Sequence, residues 1–143
     1  MKEKFMKEAL KEAKKAINLN EIPVGVVIVY NNKIIARGYN KKETLQNSLM
    51  HAEIIAINKA SKKLRSWRLN DCEIYVTLEP CNMCMGAIVE SRINKVYYGT
   101  DNLKSHELNL QIINNFKINV ENGILEGKCK ELLDDFFKNM RGK

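Results

Sequence analysis

Four residues in this sequence have the types and spacing to do chemistry together. They are His51 and Glu53 in "HAE", and Cys81 and Cys84 in "EPCNMC". Alone, a C-x-x-C pair fits a redox couple, half of a zinc ribbon, or part of a catalytic metal centre. A ribbon needs a second C-x-x-C, and the remaining cysteines, Cys72 and Cys129, stand apart. A redox couple leaves His51 and Glu53 without a role. One histidine and two cysteines offer zinc three ligands. Structural zinc sites usually close with four protein ligands, whereas catalytic sites use three and leave the fourth position to water. Zinc lowers the pKa of a bound water towards neutrality. A carboxylate two residues from a ligand can take that proton and deliver it to a substrate. Hydrolytic deamination needs this division of labour.

Positioning these groups requires two chain segments to meet. "HAEIIAINKASKKL" (51–64) has apolar residues at helical spacing, and "CNMCMGAIVES" (81–91) also reads as a helix. Both ligand groups therefore lie at helix N-termini, which stabilise thiolates electrostatically. The sheet beneath them is expected from "IPVGVVIVY" (22–30), a turn at 31–33, "IIARGYN" (34–40), "CEIYVTL" (72–78) and "KVYYG" (95–99). Residues 2–18 read as an amphipathic helix, 41–50 as a polar loop, 105–115 as helical, 116–121 as a strand and 129–140 as a helix. This order predicts a three-layer α/β/α sandwich around a mixed sheet, with the strands flanking helix 81–91 parallel.

The chain has 143 residues, and a single domain over 1–143 is expected. No apolar run is long enough for a transmembrane helix, so no membrane partner is expected. The N-terminus "MKEKFMKEALKEAKKAI" lacks the unbroken apolar segment of a secretory signal and is too acidic for a transit peptide. A cytoplasmic protein with reduced cysteines follows as the expectation. The formal charge is +7, from 24 basic and 17 acidic residues, which suits an anionic partner such as nucleic acid but also an ordinary lysine-rich surface.

The pattern H-x-E…P-C-x-x-C is the signature of zinc-dependent nucleobase deaminases. Together with "EIPVGVVIV", "GYN", "RLNDCEIYVTLEPCNMCMGAIVESRI", "VYYG" and "GILEGKCKELLDDFFKNMR", it resembles the bacterial tRNA-specific adenosine deaminases over most of the chain. The resemblance implies a five-stranded mixed sheet of cytidine-deaminase-like type and one zinc ion per subunit, bound by His51, Cys81 and Cys84. Glu53 would be the proton shuttle. It further implies substrate contacts at Asn40, Glu21, Pro80, Asp101, Asn102 and Phe137, and a homodimer acting on a tRNA anticodon stem-loop. The implied reaction converts adenosine to inosine at the wobble position.

Two segments differ from the family pattern. "NSLM" (47–50) precedes the H-A-E, with Asn47 expected to form the loop's side-chain turn. "TDNLKSHELNLQIINN" (100–115) contains no glycine where the family carries a glycine-rich loop. His106 in that segment reads as a solvated loop histidine. Because this segment bears on substrate choice, a free nucleobase or nucleoside deaminase of guanine or cytosine type stands as the alternative enzyme. A non-catalytic, zinc-stabilised RNA-binding module is the alternative outside enzymes, and Glu53 argues against it.

Overall fold

The computed structural model describes residues 1–141, so the last two residues of the expected 1–143 domain lie outside the described residues. The helices are α1 (Lys2–Ile17), α2 (Ala52–Leu64), α3 (Asn82–Glu90), α4 (His106–Phe116) and α5 (Glu126–Arg141). The strands are β1 (Gly25–Tyr30), β2 (Lys33–Tyr39), β3 (Cys72–Leu78), β4 (Lys95–Thr100) and β5 (Asn119–Glu121). They form one sheet in the order β2-β1-β3-β4-β5. β1 runs antiparallel to β2 and β3, and β3, β4 and β5 run parallel.

Both sheet faces are covered, and the strand sequences explain why. Val26 and Ile28 of β1, with Ile74 and Val76 of β3, point to one face. There they meet Ala52, Ala56 and Ala60 of α2 and Met85 and Ile88 of α3. The alternate residues Val27, Val29 and Tyr75 meet Phe5, Met6, Ala9 and Leu10 of α1 and Cys129 of α5 on the other. A strand buried on both faces reads as a continuous apolar run rather than an alternation, as "VVIV" does. The three-layer expectation holds.

Element ends differ where local backbone chemistry intervenes. β1 begins at Gly25 rather than Ile22, because Pro23 has no N–H to give a ladder. β5 is confined to 119–121, since α4 runs to Phe116 and Lys117 takes a left-handed conformation (φ 54°) that ends the helix. α5 starts at Glu126, three residues before the expected 129. Positive φ at Gly123 and Leu125 turns the chain into it.

The topology gathers one end of the molecule. The C-terminal ends of β3 and β4 lie beside the start of β1 and the end of β2, as the pairs Val26–Val76, Gly25–Tyr39 and Leu78–Thr100 record. In open α/β sheets, ligands bind outside the carboxyl ends of the strands.

Candidate active site

His51 and Cys81 both occupy the N-cap positions of their helices, α2 and α3, with extended backbone. Cys84 lies one turn into α3 and is fully buried. The imidazole Nδ1 of His51 is 3.6 Å from Cys81 Sγ and 3.6 Å from Cys84 Sγ. Tetrahedral zinc with Zn–S of about 2.3 Å and Zn–N of about 2.0–2.1 Å separates sulfur from nitrogen by about 3.6 Å. The three donors therefore stand at the spacing that one tetrahedral ion demands. Their electrostatics agree. The neighbouring Cys84 thiol, with His51 beside it, holds the Cys81 thiol at about 4, while the Cys81 sulfur and burial push Cys84 up. His51 in turn binds its proton more firmly because of the Cys81 sulfur. Ligation needs thiolates and a neutral imidazole, so a cation here would displace the protons that His51 and Cys84 otherwise hold against the Cys81 sulfur.

Glu53 is buried, at 4% exposure, on the first turn of α2. Burial pushes its carboxyl up to about 7 from the usual 4.5, with the Cys81 sulfur adding to the effect. A cavity of about 160 Å³ opens over these groups, lined by His51, Glu53, Cys81, Asn40, Asn102 and Lys42 among others. That is below the roughly 300–1,000 Å³ of sites for drug-sized ligands, and suits a single base. Larger depressions, of about 360 and 510 Å³, lie around Asn94 at the opposite end of the sheet and hold none of these residues.

Residues 1–141 match the MafB19-like deaminase family. The chain is 45% identical to a tRNA-specific adenosine deaminase of Bacillus subtilis, over 99% of this chain and 91% of that protein. The chain belongs to the tRNA-specific adenosine deaminase family. A solved structure from work on A-to-I editing by tRNA:A34 deaminases at the wobble position of transfer RNA superposes with a TM-score of 0.85. It is 36% identical and covers 90% of this chain and 98% of that one. A guanine deaminase from Bacillus subtilis is 40% identical, with a TM-score of 0.67 over 74% of this chain and 68% of that one.

The other residues anticipated from this deaminase family are placed differently from one another. Asn40 and Asn102 line the cavity. The Asn40 amide donates to the Ile22 carbonyl at 3.3 Å and accepts from the Lys42 N–H at 3.1 Å, which turns the chain into the 41–50 loop. Glu21 is fully buried and does not line the cavity. Its carboxylate accepts from the N–H groups of Glu43 and Thr44 and from the Thr44 hydroxyl, at 2.6–3.0 Å. It holds the loop that carries Lys42. The Pro80 carbonyl accepts from Asn109 at 2.7 Å. Asp101 is exposed and accepts from the Tyr98 hydroxyl at 3.1 Å. Phe137 lies on α5 with its ring edge-on to the buried Phe136, and it too is not among the cavity's lining residues. Asn47 makes the expected turn, accepting from the Leu49 N–H at 3.0 Å.

His106 differs from its reading as a solvated loop residue. It opens α4, and its Nδ1 donates to Glu79 at 2.9 Å, which raises its proton affinity. Sequence reasoning also passed over Lys42, Glu79 and Asn109. Lys42 has no signal beyond its neighbourhood to Asn40. Glu79 carried one, as an acid directly before Pro-Cys at the end of a buried strand. Asn109 carried another, as a polar residue at helical spacing from Ile112 and Ile113.

Proposed function

We propose that the protein converts adenosine to inosine at the wobble position of a tRNA anticodon. One zinc ion per subunit would be held by His51, Cys81 and Cys84, with Glu53 as the proton shuttle. The observation that carries this reading is the 3.6 Å spacing of the His51 imidazole from both thiols, beside a buried carboxyl, at the floor of a base-sized cavity. The activity named for its relatives supports it.

Zinc in this site supplies a water acidic enough to attack near neutral pH. The protein's own groups do the rest. Glu53 takes the proton released by the water and delivers it to N1 of the purine as C6 becomes tetrahedral. It then takes the remaining proton from the oxygen on C6 and passes it to the departing amine, so that ammonia leaves and C6 keeps the oxygen as a carbonyl. Burial keeps bulk water from competing for these protons. Asn40 and Asn102 orient the nucleoside, and the Glu21 carboxylate fixes the loop that brings Lys42 to the mouth. Asp101 and Phe137, outside the cavity, are assigned to RNA beyond the target base. Anticodon-loop bases are already unpaired, so entry into the cavity costs less than extrusion from a duplex.

We assign the whole chain to one such domain. A homodimer is supported by the exposed apolar side chains Met83, Leu103, Leu108 and Leu110 on α3 and around the start of α4. A cytoplasmic setting is supported by four free cysteines. No helix among the described residues is long and apolar enough to cross a membrane.

The deciding experiment gives zinc-loaded protein an anticodon stem-loop with a wobble adenosine, alongside free adenosine, adenine, guanine and cytosine. Inosine formed in the stem-loop alone is the expected result. Turnover of free guanine without editing of RNA would move the protein to the second reading, which the 40% identity to a guanine deaminase keeps open.

A further inference from the structure

The segment that departs from the family pattern is tied to residues 79–82, around Cys81, by one side chain. Asn109, on the first turns of α4, has no exposure to solvent. Its amide nitrogen donates to the Glu79 carboxylate at 3.0 Å and to the Pro80 carbonyl at 2.7 Å. Its amide oxygen accepts from Asn82 at 2.8 Å, and Asn82 also donates to the Ser105 carbonyl at 3.0 Å. Residues 79, 80 and 82 are thus tied to α4, and the residue they bracket is Cys81. An asparagine amide has two N–H donors and an acceptor oxygen, and here both ends are used.

Glu79 carries the ties further. Its carboxylate, 1% exposed, also accepts from His106 Nδ1 at 2.9 Å and from the Asn102 N–H at 3.0 Å. Asn102 is a wall of the cavity. A helix without glycine therefore fixes both the segment carrying a thiol donor and one side of the base site. Within a fully satisfied buried network, each bond holds the others in place, and loss of one member leaves charged or polar groups unpaired.

We propose that Asn109 is a positioning residue: through Glu79, Pro80 and Asn82 it sets the Cys81 sulfur and the Asn102 wall of the cavity. The proposal rests on the deaminase reading of the same site, but its physical content is the placement of one sulfur. Outer partners that orient metal ligands typically change metal affinity or activity by about 10–100-fold when removed.

The test uses full-length protein as wild type, Asn109→Leu, Asn82→Ala and Ile113→Ala. Ile113 is a partly buried packing residue of the same helix and serves as the control for simple loss of stability. Three measurements are made: steady-state kinetics on the stem-loop, the rate of zinc transfer to a chromophoric chelator, and the visible spectrum of the cobalt(II)-substituted protein. The cobalt bands respond to thiolate geometry without any substrate. Asn109→Leu is expected to lower kcat tenfold or more with KM within about threefold, to speed zinc transfer at least tenfold and to shift the cobalt bands. Asn82→Ala, which severs one arm, should move all three in the same directions by less. Ile113→Ala should lower Tm and leave them at wild-type values. Wild-type cobalt bands and zinc transfer in Asn109→Leu would overturn the proposal; if that variant does not fold, the same result in Asn82→Ala would do so. Equal losses in Ile113→Ala at matched Tm would overturn it as well. A wild-type protein inactive on the stem-loop would sink the proposed function instead, and the cobalt spectra and zinc transfer would still decide the role of Asn109.

Discussion

Glu53 and His51 are two residues apart, yet their proposed roles separate cleanly on substitution. In that proposal His51 would give a ring nitrogen to the ion and Glu53 would move protons, so only one of them would be needed to hold metal. Glu53→Ala is expected to lower kcat by about 10²–10⁴-fold with zinc content, measured by elemental analysis, staying at one ion per chain. His51→Ala should lose the ion. Zinc loss in both variants alike would make Glu53 a ligand and remove the shuttle. Their candidacy was legible in the sequence because metal and proton chemistry admit few side-chain types, and His51 and Cys81, 30 positions apart, fall in one recognisable pattern. The sequence did not disclose Asn109 or Glu79. Their roles depend on tertiary partners, and a buried asparagine shares its residue type with exposed ones. His106 was misread for the same reason: its partner, Glu79, is 27 residues away.

At the level of elements, α2 must bring its first turn close to β2 for His51 and Glu53 to face the thiols. Gly38 on β2 permits this, since a Cβ there would sit 2.5 Å from the Ala52 carbonyl oxygen and 3.1 Å from the Ala56 nitrogen. Gly25 on β1 plays the matching part on the other face, where a Cβ would collide with the backbone of Ala9 and Ala13 in α1. Overpacking of this kind costs about 1–3 kcal/mol, so both Gly38→Ala and Gly25→Ala should lower Tm by several degrees. They should differ in function. Gly38→Ala displaces the start of α2 and is expected to raise the zinc dissociation constant and depress kcat, while Gly25→Ala, acting on α1, leaves zinc affinity near wild type. Equal zinc affinity in the two would show that the approach of α2 does not set the site. The same α1 is clamped to β2 through Arg37, which meets Glu8 at 2.7 Å and Glu12 at 3.4 Å. Bonds from Lys11 and Arg37 hold the Glu8 carboxyl below its usual 4.5. A depressed carboxyl stabilises the fold above its unfolded pKa and loses that contribution as pH falls through the folded one. The pair is partly exposed, so the effect is about 0.5 kcal/mol. The Tm gap between wild type and Glu8→Gln should be measurable at pH 7 and close at pH 3; a gap unchanged with pH would assign it to packing.

For the molecule as a whole, the layered architecture was legible because each central strand is buried on both faces and therefore spells a continuous apolar word. The C-terminal third was less so. β5 has three residues, of which Val120 alone is partly buried, and α4 buries asparagine rather than leucine on its inner side. What neither alternation nor motif conveys is where the surplus charge acts. The +7 balance spreads over a surface that includes Lys42 at the cavity mouth. If that charge holds anticodon phosphates, binding must release counterions, and log Kd for the stem-loop will change linearly with log salt, with a slope of roughly 0.7–0.9 per phosphate neutralised. Four phosphates would cost about a hundredfold in affinity between roughly 50 and 200 mM salt. Lys42→Ala should reduce the slope by about one contact. Turnover of a short, uncharged nucleoside substrate, where detectable, provides the control, since its KM has no phosphates to lose. Stem-loop binding that ignores salt while editing persists would mean that the cavity, rather than the basic surface, carries RNA recognition.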